Sequence, residues 1–175
     1  MMINLSDVLS EQHKPIDVTV TFELDQIHMK SGDFPIVEKE PVHVKVTHRK
    51  NKELEIKAET NISVMIPCDR CLSEVRQEMP LCFTKEVDLG TSDAELPEGF
   101  DESNFIDGYY LDVDKMLYNE ILVGWPTKVL CSEDCKGICS VCGQNLNEGT
   151  CDCEDTGLDP RMSVVRDLFK NFKEV

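Results

Sequence analysis

Six cysteines crowd residues 131–153: Cys131, Cys135, Cys139, Cys142, Cys151 and Cys153. Cys139 and Cys142 are separated by two residues and followed by Gly143, the pattern of a zinc knuckle. That spacing lets two thiolates reach one metal from a tight turn whose backbone amides face the sulfurs, and the glycine takes a positive φ without steric cost. A tetrahedral zinc site needs four ligands and this stretch offers six. Cys139 and Cys142 with Cys135 and Cys153 are the favoured quartet, with Cys131 and Cys151 as alternates. All four histidines, His13, His28, His43 and His48, lie far upstream. Thiolates alone, with no position left for water, make a closed structural centre and not a hydrolytic one. The spacing matches neither common ferredoxin run, so zinc is expected ahead of an iron–sulfur cluster.

A second two-residue spacing, Cys68-Asp-Arg-Cys71, falls in a turn between two strand patterns. It offers either two further metal ligands, completing a second four-cysteine site, or a redox dithiol. A thioredoxin-like dithiol opens a helix within a βαβ unit, and this one does not. Cys82 stands between Leu81 and Phe83, on the opposite face of its strand, and is read as a bystander.

These cysteines need a scaffold, and the alternation of apolar residues supplies one. Ile16, Val18, Val20, Phe22 and Leu24 alternate with polar residues, as do Val42, Val44 and Val46. Leu54, Ile56, Ala58, Ile62, Val64 and Ile66 share one face of a long strand that Pro67 ends, and Leu81, Phe83, Val87 and Leu89 mark another. Period-two alternation puts one face in a core and the other in water. Residues 28–41, with Gly32, Pro35 and Pro41, read as an irregular connection. Asp7–Gln12 is a short helix candidate. Val113, Leu117 and Ile121 recur at helical spacing behind Asp112 or Asp114, either of which can cap the helix, and Pro126 stops it. Asp159-Pro160 starts a terminal helix with Met162, Val165, Phe169 and Phe172 on one face. Trp125 is read as packing.

The fold class expected is α+β: an antiparallel β meander, barrel- or sandwich-like, with two helices and a C-terminal zinc-binding module. The parts are residues 1–90 as the β domain, 91–126 as an acidic loop and helix packing on it, and 127–175 as the cysteine-rich module and terminal helix.

Charge narrows the function. The chain of 175 residues carries 34 Asp and Glu against 18 Lys and Arg, a formal charge of -16. Phosphate-binding surfaces need clustered cations, so broad contact with nucleic acid is disfavoured, and the charge serves either solubility, as a solvated acidic surface, or a basic partner such as a ribosomal protein. From Asp88 to Glu120 there are ten acidic residues and one basic, Lys115. The one basic stretch, Lys45, Arg49, Lys50, Lys52 and Lys57, interleaves with Glu53, Glu55 and Glu59 and reads as cross-strand ion pairing. No targeting segment or membrane span is visible, which points to the cytoplasm and to reduced thiols. No nucleophile, acid–base pair or phosphate loop stands out, so no catalytic residue is assigned.

With these residues in hand, the chain resembles the YceD family of large ribosomal RNA subunit accumulation proteins. The resemblance rests on Pro67-Cys-Asp-Arg-Cys-Leu72 after a long strand, on the run Leu130–Gly143, on Asn145-Leu-Asn147 leading to Cys151-Asp-Cys153, and on Asp159-Pro-Arg161. It implies a non-enzymatic factor supporting synthesis, processing or stability of large-subunit (23S) ribosomal RNA. Its partner would be a basic ribosomal protein or large-subunit assembly factor, with rRNA met indirectly and neither membrane nor small-molecule substrate involved. A zinc-dependent thiol redox or metal-handling protein using Cys68 and Cys71 is the alternative.

Overall fold

The computed structural model describes residues 1–10, 13–49, 53–88 and 105–153. The helix expected from Asp159, Leu89 at the end of its strand, and residues 89–104 of the acidic segment lie outside the described residues. The described chain divides into two compact units, one of Met1–Ile66 with Glu74–Val129, the other of Pro67–Ser73 with the chain from Leu130 onward.

The first unit is built on antiparallel strands. β1 (Met2–Asn4) is followed by α1 (Ser6–Leu9), β2 (Ile16–Val20), β3 (Gln26–Met29), β4 (Gly32–Lys39), β5 (Val42–His48), β6 (Glu53–Pro67) and β7 (Glu74–Asp88). β8 (Ile106–Asp107), β9 (Tyr110–Asp112) and α2 (Val113–Val123) complete it. Each strand pair whose register is defined is antiparallel. β6 is the spine. One length of it pairs with β5, from His48 opposite Leu54 to His43 opposite Glu59. Farther along it pairs with β4, from Lys39 opposite Ile62 to Ile36 opposite Val64. β4 and β5 therefore run in the same direction along β6, as one long pass broken at Glu40-Pro41. Asn61 closes that break by accepting from the Glu40 N–H at 3.0 Å. β2 and β3 pair with β5 and β4, and β7 pairs with β6.

The alternation read from sequence is the burial observed. Val42, Val44, Val46, Leu54, Ile56 and Val64 are fully buried, with Val44 opposite Ala58 and Val46 opposite Ile56 on the shared face. Each such side chain stabilises the fold by about 1.5–3 kcal/mol through apolar burial. The wet face carries the ion pairs expected: Arg49 bonds Glu55 at 2.9 Å and reaches Glu86 at 3.3 Å, and Lys57 reaches Glu55 at 3.3 Å.

α2 turns Val113, Met116, Leu117 and Ile121 into the core. The Asp112 carboxylate caps it by accepting from the Lys115 N–H at 3.2 Å, and the Gly124 N–H bonds back to Glu120 at the other end. Glu120 pairs with Lys85 of β7 at 2.9 Å, and the Tyr118 hydroxyl donates to the His28 carbonyl. Trp125 packs against Phe34 with ring centres 4.9 Å apart, as a packing role requires. β9 leads into α2, with Leu111 buried opposite Ile3 of β1. α1 is shorter than the Asp7–Gln12 helix expected, and buries Val8.

One expectation is overturned. Residues 28–41 are not an irregular connection: they hold the end of β3, a tight turn and all of β4, with Met29 opposite Gly32. The glycine and prolines that suggested a loop sit where the ladder tolerates them. Gly32 closes the turn at φ 146°, a backbone angle open to glycine. Pro35 precedes Ile36, the first residue paired with β6, and Pro41 lies in the break between β4 and β5. Phe34, between Gly32 and Pro35, is buried.

Candidate metal centres

The second unit collects cysteines from two distant stretches of chain. β6 delivers Pro67–Ser73 to it and β7 takes the chain back. Cys68 and Cys71 in that turn meet Cys131 and Cys135, and Cys139, Cys142, Cys151 and Cys153 form a second quartet. In each quartet the four sulfurs lie within 4.8 Å of one another. The favoured quartet of the sequence reading therefore splits. Cys135 belongs with Cys68, Cys71 and Cys131, and Cys151 joins Cys139, Cys142 and Cys153. Cys82 is exposed and outside both.

Both two-residue spacings fold into the same turn. The Cys68 N–H donates to the Ser73 carbonyl at 2.8 Å and the Leu72 N–H to the Cys68 carbonyl at 2.9 Å. In the other turn the Cys139 N–H donates to the Gln144 carbonyl at 2.8 Å and the Gly143 N–H to the Cys139 carbonyl at 2.9 Å. The residue after the second cysteine is left-handed in each, Leu72 at φ 61° and Gly143 at φ 74°. This geometry aims N–H groups at sulfur, and the Val141 N–H lies 3.4 Å from Cys139 Sγ.

Cys131 and Cys135 follow from β-domain residues ending at Val129. Gly137, at φ 81°, lets the chain pass close to the first turn: a Cβ there would stand 3.1 Å from the Arg70 carbonyl oxygen. That carbonyl accepts from the Ile138 N–H, and the Arg70 guanidinium donates to the Cys135 carbonyl at 2.8 Å.

The sulfur spacings fit metal. All nine cysteines are free. Cys68 Sγ is 3.8 Å from Cys135 Sγ, and Cys71 Sγ is 3.5 Å from Cys131 Sγ. Zinc–sulfur bonds of about 2.3 Å in a tetrahedron place sulfurs about 3.8 Å apart. A disulfide would bring them to about 2.05 Å.

The thiol acidities agree. Burial pushes Cys68 up, but hydrogen bonds from the backbone at Arg70, Cys71 and Cys131 outweigh it and bring the thiol down to about 6. The Ser73 hydroxyl and backbone lower Cys71. Cys131, hydrogen-bonded to Cys71 and Cys135, is pushed up to about 12. In the second quartet the backbone of Cys142 and Val141 brings Cys139 down to about 6, while Cys153, against Cys142, is pushed up to about 12. The Cys153 backbone pulls Cys151 down, but the Cys139 sulfur and burial prevail and raise it. Each group thus pairs lowered thiols with raised ones: Cys68 and Cys71 against Cys131, and Cys139 against Cys151 and Cys153. A divalent cation held by either quartet would replace the protons of the raised thiols and let all four bind as thiolates.

Asn145 and Asn147 have a role that spacing alone does not reveal. The Asn147 side-chain amide donates to Cys135 Sγ at 3.3 Å while its oxygen accepts from the Lys136 N–H at 2.8 Å. The Asn145 oxygen accepts from Asn147, and its amide donates to the Ser73 hydroxyl, itself 3.3 Å from Cys71 Sγ. Among the described residues no helix is long and apolar enough to cross a membrane.

A family model described as large ribosomal RNA subunit accumulation protein YceD matches residues 56–169. The chain is also 26% identical over 151 residues to Large ribosomal RNA subunit accumulation protein YCED homolog 1, chloroplastic, of Arabidopsis thaliana. That alignment covers 69% of this chain and 47% of the relative, so the chain spans about half the length of the curated protein it matches. No solved structure matches. The matched residues take in most of β6, all of β7 and α2, and all eight grouped cysteines, and the chain belongs to the YceD family of large ribosomal RNA subunit accumulation proteins.

Proposed function

We propose that this protein is a non-enzymatic, cytoplasmic factor that supports accumulation of 23S ribosomal RNA through protein partners, and that its two cysteine quartets hold structural zinc. The family match over residues 56–169 carries the first part. The sulfur spacings carry the second. Cys68, Cys71, Cys131 and Cys135 would hold one ion and Cys139, Cys142, Cys151 and Cys153 the other, each supplying a cross-link to a segment with few fully buried apolar side chains. Four thiolates saturate a tetrahedral ion, so the sites serve folding and not hydrolysis. A dithiol redox role for Cys68 and Cys71 fits less well, since both are buried and share their sulfurs' surroundings with Cys131 and Cys135.

The partner proposed is a basic ribosomal protein or large-subunit assembly factor. A formal charge of -16 repels rRNA phosphates and speeds encounter with Lys- and Arg-rich proteins. The acidic segment from Asp88 to Glu120 is the proposed contact, and its residues 89–104 lie outside the described ones. A tagged copy drawn from cell extract at moderate salt should bring basic large-subunit proteins that persist after RNase. A deletion strain should show depleted 23S rRNA, restored by the wild-type chain. Replacing Glu95, Glu98, Asp101 and Glu102 by Gln and Asn should weaken the capture. Normal 23S rRNA in the deletion strain sinks the function; unchanged capture by the neutralised chain sinks the contact.

A further inference from the structure

The residues between the two quartets have a double attachment. Asn145 to Asn147 lie on the short stretch that joins Cys142 to Cys151, both grouped in the second quartet, yet their side chains are hydrogen-bonded around the sulfurs of the first. From Cys135 Sγ the chain of contacts runs through the Asn147 amide at 3.3 Å, the Asn145 oxygen at 2.9 Å, the Asn145 amide to Ser73 Oγ at 3.4 Å, and on to Cys71 Sγ at 3.3 Å. The Leu146 N–H donates to the Gly137 carbonyl at 2.9 Å, which fastens the middle of the segment to the chain beyond Cys135.

We propose that the Asn145–Asn147 segment couples the two centres, so that a thiophilic divalent cation bound at Cys139, Cys142, Cys151 and Cys153 tightens binding at Cys68, Cys71, Cys131 and Cys135. The inference rests on the reading that both quartets bind metal. Its physical basis is preorganisation. Amide donors to a metal-bound sulfur orient the ligand and moderate its charge, and removing such a partner costs about 10–100-fold in metal affinity. With the second quartet unmetallated, the stretch between Cys142 and Cys151 has lost its closure, and ordering Asn147 against Cys135 then draws on binding energy at the first centre. Coupling is reciprocal: the first ion tightens the second by the same factor. Asn147 is thus a positioning residue for Cys135, and Asn145 for Asn147 and Ser73.

The test uses the full chain, stripped of metal under reducing conditions and titrated with Co2+ and then Zn2+ against a competing chelator. The wild-type protein should take two equivalents cooperatively. Cys139→Ser with Cys142→Ser should leave one equivalent at the first centre, weakened about 10–100-fold. Asn147→Ala should weaken the first centre comparably with all eight thiols kept. The combination should be no weaker there than either variant alone, because each removes the same support. Loss of the amide donor should also move the sulfur-to-cobalt charge-transfer band to lower energy, a shift that general loosening of the fold does not produce. The Asn147→Ala protein carries the test alone if the cysteine variants fail to fold. Two sites filled independently in the wild type, or full cooperativity and an unmoved band in Asn147→Ala, overturn the coupling. A wild-type chain that takes up no cation sinks the metal reading itself, which is a different result.

Discussion

The two cysteine turns make the same hydrogen bonds at the same lengths, yet they stand in different company. Cys68 and Cys71 are buried, and strands of fifteen residues, β6 and β7, arrive at and leave their turn. Cys142 is exposed and Cys139 half-buried, in a stretch without long strands. The first turn closes on Leu72, held left-handed although 64% exposed, and the second on Gly143, for which that angle is free. A leucine in this conformation costs about 1–2 kcal/mol relative to the right-handed form. The turn that joins two long strands and meets ligands from far along the chain carries that strain. The turn made from local sequence alone uses glycine. Shape at a metal site can thus come from a scaffold or from residue choice.

The largest effect should come from breaking the scaffolded centre. Structural zinc contributes about 10–16 kcal/mol of apparent folding free energy in zinc-finger peptides. Cys135→Ser should therefore unfold the first centre, with amide exchange protection lost across Pro67–Ser73 and around Cys131 and bound zinc reduced by at least one equivalent. Cys142→Ser should spare Pro67–Ser73, whose own ligands remain. If the two substitutions give equal loss of protection in that turn, the distinction drawn between the centres is wrong.

A core substitution in the first unit sharpens the same contrast from the other side. Leu117 of α2 is fully buried. Leu117→Ala should cost about 2–5 kcal/mol, the range for removing a buried leucine side chain. Denaturant unfolding should record that loss while zinc content stays at two equivalents in the folded protein. Release of zinc before the sheet unfolds would show that the centres depend on the apolar core.

What was legible in the sequence divides along the same line. β6 could be read from Leu54 to Ile66, and α2 with its Asp112 cap, because periodicity and capping are local. That the cysteines of residues 131–153 gather into groups that could hold metal was legible too. The partition of the sulfurs was not. Cys68 and Cys135 are 67 residues apart and Cys71 and Cys131 are 60 apart, and nothing in local spacing brings them together. Cys131 and Cys135 are also spaced so evenly with Cys139 that one run of ligands was the natural reading. The hairpin of β3 and β4 was hidden for another reason: Gly32, Pro35 and Pro41 carry loop signals, and only pairing with β6 shows that each is tolerated.

Smaller effects should separate the turns at the backbone. A Cβ on Gly143 would meet nothing within 4 Å, so Gly143→Ala isolates the conformational cost of φ 74°. That cost is about 1 kcal/mol. Gly137→Ala should cost more, since its Cβ would also press on the Arg70 carbonyl at 3.1 Å. Leu72→Gly should be nearly neutral, because relief of the left-handed leucine offsets the added freedom of the unfolded chain. Zinc competition against a chelator ranks the three. A loss for Leu72→Gly as large as for Gly143→Ala would mean that the leucine side chain, and not the hairpin, holds the first turn.

The smallest effect belongs to the wet face of the sheet, where no metal intervenes. Burial pushes the Glu55 carboxyl up, but hydrogen bonds from Arg49 and Lys57 outweigh it and hold the group below its ordinary 4.5. A carboxyl lowered on folding favours the folded state above its unfolded value, and that contribution disappears as pH falls through the folded value. Glu55→Gln should therefore slightly lower sheet stability at pH 7 and change nothing at a pH below the folded value, where the wild-type carboxyl is itself protonated. High salt should shrink the pH 7 difference, since the partners are exposed and screened. The thiolates of both centres respond at higher pH, because Cys68 and Cys139 sit near 6 and protons compete with metal for them. Acidification should then release zinc before it touches the Glu55 cluster. Stability curves of wild type and Glu55→Gln, followed from pH 7 downward alongside zinc release, check both the sign and the order. A difference between the two proteins that grows on acidification would show that Glu55 is not held by its cations.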